Sequence, residues 1–136
     1  MGTLSKLIIR HRNHLSIMSA NPVTVGVSTV VNFTDGSIAT YGTDAQKDDM
    51  GIHRMWAGDA NANGVIVYSG SGNDRSLILI EIGGSNIVNI VNNFYGGVDI
   101  NMDGNVMYSG SGNDRSIILV NIGGSNIVAS RLAQMP

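Results

Sequence analysis

The sequence predicts an α+β fold. A small, incomplete antiparallel β-sheet or sandwich lobe over residues 1–57 is followed by a duplicated loop and short-helix lobe over residues 58–136. Three observations lead there. GDANANGVIVYSGSGNDRS (58–76) returns forty residues later as VDINMDGNVMYSGSGNDRS (98–116). Each copy runs into an aliphatic segment closed by Gly-Gly. The residues before the duplication are instead Val-, Ile- and Thr-rich stretches broken by turn dipeptides, as short strands are.

In the first lobe, LIIRHRNHLSIM reads as a strand that places Arg10, Arg12 and His14 on one face and Ile9, His11 and Asn13 on the other. Asn21-Pro22 marks a turn. VTVGVSTVVNF has strand composition, with Gly26 as a bend. Asp35-Gly36 is a second turn signal, and GIHRMWAG reads as the last strand, with Trp56 in the core. So few strands leave edge backbone unpaired, which is adhesive.

In the second lobe the units span 58–88 and 98–128. The runs SLILIEIGG and SIILVNIGG are ambiguous by periodicity. Their Ile and Val content favours strand, but the Asn, Asp and Ser before them and the Gly-Gly after them favour a short helix in each unit.

Composition narrows the function. Of 136 residues, 43% are hydrophobic and 13% charged, so the chain is suited to a folded core. The formal net charge is −2 and the basic residues are scattered, which excludes the basic patch a nucleic-acid partner requires. No apolar run reaches membrane-spanning length. There is no cysteine, hence no disulfide or thiolate chemistry. The start of the chain does not read as a signal peptide. No G-x-S-x-G or P-loop lysine is present, and His11 and His14 face opposite sides of their strand. No catalytic residues are assigned, and the chain is not expected to be an enzyme.

The duplicated loops carry the chemistry. Asp59, Asn61, Asn63 and Gly64 stand at relative positions 1, 3, 5 and 6, as do Asp99, Asn101, Asp103 and Gly104. This is the opening half of a calcium loop. Alternate side chains of a tight loop point inward, glycine permits the sharp turn, and position 7 (Val65 or Asn105) offers a main-chain carbonyl to a hard ion wanting six to eight oxygens. Ile66 and Val106 at position 8 should anchor the loops in the core, where they can pair with each other. Position 12 is Gly70 or Gly110, which has no side-chain oxygen. The carboxylates four residues later, Asp74 and Asp114, are assigned the closing role, delivered by a flexible SGSG insertion. Two Ca2+ sites follow. The second, with three carboxylates against two, is expected to be the tighter. Tyr68 and Tyr108 are expected to pack at the loop bases, with glycan stacking as the other use of such rings. Arg75 and Arg115 are expected to pair with the adjacent Asp74 and Asp114.

The two half-loops with trailing apolar runs resemble dockerin-type calcium modules. IIRHRNHL, VNFTD, TYG, MWAGDANANG and VDINMDGNVMYSGSGNDRSIIL, in that order, resemble the C-terminal region of large surface or secreted proteins of Bacteroidetes-type bacteria. There a small β-domain precedes a dockerin-like repeat. The resemblance implies secretion to the cell surface or exterior, calcium binding and a non-catalytic role. It also implies further strands ahead of IIRHRNHL. Dockerins carry their closing Asp at position 12 and cohesin contacts on their helices. Here the Asp is displaced and the helix faces are aliphatic. The expected function is a calcium-stabilised extracellular structural module that self-associates through its N-terminal strands into a fibre. The alternative is a dockerin-like or glycan-binding module at the end of an adhesin.

Overall fold

A computed structural model describes residues 2–136. The class is mixed α+β: small antiparallel two-stranded ladders and two short helices, with no closed barrel among the described residues. No helix among these residues is long and apolar enough to cross a membrane. The chain forms two compact units. One holds residues 2–11, Ser16–Trp56 and Ala133–Pro136, and the other holds Arg12–Leu15 and Ala57–Leu132.

The first unit contains β1 (Thr3–Ser5), β2 (Ile8–His11), β3 (His14–Met18, from Ser16 onward), β4 (Val23–Val25), β5 (Gln46–Asp49) and β6 (Ile52–Met55). β1 pairs with β4, β2 with β3, and β5 with β6. Its core is Ile17, Phe33 and Ala45, with Leu7, Val31, Ile38 and Met55 packed against them. Three sequence expectations are corrected here. LIIRHRNHLSIM is a hairpin, β2 and β3, turning at Arg12-Asn13, so Arg10, Arg12 and His14 do not share a strand face. VTVGVSTVVNF is strand only at β4. Val27 and Val30 beyond it are exposed, because β-propensity without a partner strand does not make a ladder. QKDD, which has no strand composition, becomes β5 because the Met50-Gly51 turn folds it onto β6. Both turn residues have positive φ. Trp56 is only half-buried, its Nε1 donating to Asp44 O at 3.0 Å.

The second unit is a pseudo-twofold pair. The first repeat and the residues just after it supply β7 (Val65–Val67), α1 (Arg75–Glu81) and β8 (Ile90–Asn92). The second repeat and the residues just after it supply β9 (Asn105–Met107), α2 (Asp114–Asn121) and β10 (Ser130–Leu132). The strands pair across the repeats, β7 with β10 and β8 with β9, both antiparallel. Two hydroxyls follow the same exchange: Ser69 Oγ donates to Ile127 O and Ser109 Oγ to Ile87 O, both at 2.6 Å. Ile66 and Val106 are fully buried, as loop anchors should be. They do not pair with each other: Ile66 lies opposite Arg131 and Val106 opposite Val91. The chain after each helix returns antiparallel and occupies the strand edge of the other repeat.

The two apolar runs are helices because their ends are specified. Gly83 and Gly84 have positive φ, Gly83 N donates to Ile80 O and Gly84 N to Leu79 O. That paired closure satisfies the last carbonyls of α1, and Gly123 and Gly124 repeat it on α2. At the other end Asn73 and Asn113 accept from the main-chain N of Ser76 and Ser116. The helices bury Ile78, Ile82, Ile118 and Ile122 at i, i+4 spacing against each other and against β9. Full burial of each such side chain contributes about 1.5–3 kcal/mol.

Candidate metal centre

Both loops close in the same way. In the first, Asp59 Oδ1 accepts from Asn63 N at 2.9 Å and Oδ2 from Gly64 N at 2.9 Å. Asn61 Oδ1 accepts from Asn63 N, and Asn63 Oδ1 from Val65 N. The second loop repeats this with Asp99 to Asp103 N and Gly104 N, Asn101 to Asp103 N, and Asp103 to Asn105 N. Positions 4 and 6 take the left-handed backbone conformation: Ala62 at φ 56° and Gly64 at 84°, Met102 at 63° and Gly104 at 83°. The curvature that turns alternate side chains inward is therefore present in both copies.

The displaced carboxylates return to the loops. Asp74 is fully buried and grips loop and strand together. Its Oδ1 accepts from Ala60 N and its Oδ2 from Val67 N, both at 2.8 Å. Asp114, also fully buried, accepts from Ile100 N at 2.7 Å, Asn101 N at 3.2 Å and Met107 N at 2.8 Å. The SGSG segment makes this return possible. Gly70, Gly72, Gly110 and Gly112 all have positive φ. Gly72 O and Gly112 O are fastened by Asn61 Nδ2 and Asn101 Nδ2.

Like charges meet in these pockets. Burial pushes the Asp74 carboxyl up to about 6, against the pull of its hydrogen bonds from Val67 and Ala60, and the Asp59 charge adds to the rise. Asp114 is raised for the same first reason, with Asp99 adding to it, and burial also raises Asp59. Holding two buried carboxylates together is costly unless a cation or a proton offsets them.

The structure thus brings Asp59 to Asp74 and Asp99 to Asp114. Asn61, Asn63, Asn101 and Asp103 lie on the more exposed arms of their loops, with Asp103 Oδ2 accepting from Asn101 Nδ2 at 2.9 Å. Val65 and Asn105 begin β7 and β9. Among the described residues no three His, Cys, Asp or Glu side chains converge as a metal-binding group. The side-chain oxygen donors in the first loop are two mutually close carboxylates and two Asn amides, and the second loop has two such carboxylates, one Asn amide and the Asp103 carboxylate on its exposed arm. Such an all-oxygen set on a curved loop fits a hard divalent cation of calcium's size. Each carboxylate oxygen that accepts one N–H keeps a further acceptor site.

Arg75 and Arg115 do not pair with the adjacent aspartates. Their guanidinium groups stack on Tyr68 and Tyr108, at 4.6 Å from each ring centroid. Each guanidinium covers one face of its ring.

Sequence reasoning missed the tip of the β2–β3 hairpin. Asn13 is fully buried between the loop starts. Its O accepts from Gly58 N at 2.8 Å and Asp59 N at 3.2 Å, and its Nδ2 donates to Asp99 O at 2.6 Å. Arg12 donates through Nε to Gly96 O at 3.0 Å and stacks 4.2 Å over Tyr95. Its Nη2 stands 3.7 Å from Asp99 Oδ2. The local sequence carries only an Arg-Asn between two strand-like runs, a weak turn signal. Comparison with protein-family models, curated proteins and solved structures finds no match.

Proposed function

We propose that the chain is a non-catalytic, calcium-binding structural module that works outside the cell. Two Ca2+ ions are held by Asp59, Asn61, Asn63, Val65 and Asp74 in the first loop, and by Asp99, Asn101, Asp103, Asn105 and Asp114 in the second. The observation that carries this reading is the repeated pairing of a loop-opening and a displaced, fully buried aspartate in each copy. A divalent ion offsets the charge that burial makes costly, and it draws the Asn and main-chain oxygens of the same loop into its coordination sphere. Its effect is stability. At a free calcium concentration ~100 times the dissociation constant, each site adds about 2.7 kcal/mol, a large share of what holds a small domain folded.

The same reading makes the module dockerin-like in its use of paired calcium loops, and makes it an assembly unit. The short ladder β1–β4, with Leu4 and Val25 exposed, offers strand edges to a neighbouring chain, and a repeated head-to-tail contact of that kind builds a filament. The test combines melting and scattering on the full chain. Adding calcium to chelated protein raises the melting temperature, and concentrated calcium-loaded protein scatters as a polydisperse polymer. An unmoved melting temperature refutes the calcium role, and a monodisperse monomer refutes assembly.

A further inference from the structure

The two loops are alike in sequence but not in surroundings. By carboxylate count the second should hold a cation more tightly, since Asp103 stands where the first has Asn63. Only the second is faced by Arg12. The Arg12 side chain is 21% exposed and that of Asp99 2%, so their 3.7 Å approach lies largely out of bulk water. It is held there from three sides: Nε on Gly96 O, the plane on Tyr95, and the adjoining Asn13 locked between the loops. Against the first loop the same hairpin tip presents main chain instead, with Asn13 O receiving Gly58 N and Asp59 N.

We propose that Arg12 is a positioning residue that levels the two cation sites by offsetting the additional carboxylate of the second loop. The inference rests on the calcium reading. Three carboxylates less one guanidinium leave the second site with the net charge of the first site's two. An ion placed at Asp99 repels Arg12, and the Gly96 and Tyr95 contacts hold the side chain in place against that repulsion. Even in a water-like dielectric, a unit charge acting on a divalent ion across several ångströms changes affinity on the order of tenfold, and partial burial only enlarges the effect.

The experiment is calorimetric titration of the chelated full chain with calcium chloride, for wild type and three variants. Wild type shows two sites of closely similar affinity. Arg12→Gln tightens one of them on the order of tenfold, a gain that structural damage would not produce. Arg12→Lys keeps the charge and leaves the sites level. Asp103→Asn, with Arg12 intact, weakens one site below the other by a similar factor, and it keeps the proposal testable should Arg12→Gln fold poorly. Two calcium ions bound by wild type, with no tightening in Arg12→Gln or with no weakening in Asp103→Asn, overturns the role of Arg12 while leaving the calcium reading standing. No calcium uptake by wild type overturns both.

Discussion

Replacing Asp114 by Asn separates its two tasks, clasping the loop and binding an ion. The side chain accepts three main-chain N–H groups, Ile100 and Asn101 on Oδ1 and Met107 on Oδ2. An amide placed with its oxygen toward Ile100 and Asn101 turns its NH2 toward Met107 N, so two donors face each other in a fully buried site. Leaving one buried N–H unsatisfied costs about 1–3 kcal/mol. For a chain of this length each kcal/mol lowers the melting temperature by roughly 3–5 °C, so Asp114→Asn in chelator should melt about 3–15 °C below wild type. Removing one of two like charges returns part of that loss. The assay is differential scanning calorimetry of wild type and Asp114→Asn, each in chelator and in millimolar calcium, with Asp44→Asn as a control outside the loops. If Asp114 closes the second site, the calcium-induced rise in melting temperature is smaller in Asp114→Asn than in either comparison protein. An equal rise in all three proteins refutes the closing role and leaves Asp114 as a clasp alone.

Two further outcomes follow from the same geometry. In chelator, stability should fall as pH rises from about 4 to 6. The Asp74 carboxyl is raised from 3.8 to about 6, so the folded chain favours its protonated form and loses that advantage, roughly 3 kcal/mol, as the group ionises. Melting scans across that window check the sign. In calcium the trend should reverse below about pH 6, where protons compete with the ion. Gly58→Ala should be strongly destabilising, because φ there is 131° and an added Cβ would stand 2.9 Å from Ile66 Cγ2. Urea unfolding should show a loss of about 1–3 kcal/mol, and a loss under about 0.5 kcal/mol would mean that the loop start is not held against the core.

The parts of the fold that were legible in the sequence are the locally specified ones. Loop curvature followed from Asp59, Asn61, Asn63 and Gly64 and their copies, because position-dependent backbone angles are set by neighbours a few residues away. The helices followed from Asn73 and Gly83-Gly84, whose caps decide between helix and strand where Ile and Val content misleads. What was not legible depends on distant partners. Nothing near Ile66 says that its strand pairs with β10 and not with its twin. Nothing near Arg12 and Asn13 says that they meet Gly96 and Asp99, more than eighty residues away. Val27 and Val30 show the converse failure, strand formers left in solvent because no edge reaches them. Arg75 was expected to pair with Asp74 on sequence proximity. The carboxylate instead turns inward to main-chain N–H groups, and the guanidinium lies on Tyr68.

Isothermal titration of the chelated chain with calcium chloride near neutral pH decides whether the duplicated loops are a pair of calcium sites. Saturable binding of two ions per chain is expected. Binding should fall to one ion when Asp59 and Asp74 are both replaced by Asn, with the second loop untouched. Absence of binding heat, together with a melting temperature unchanged by calcium, would contradict it.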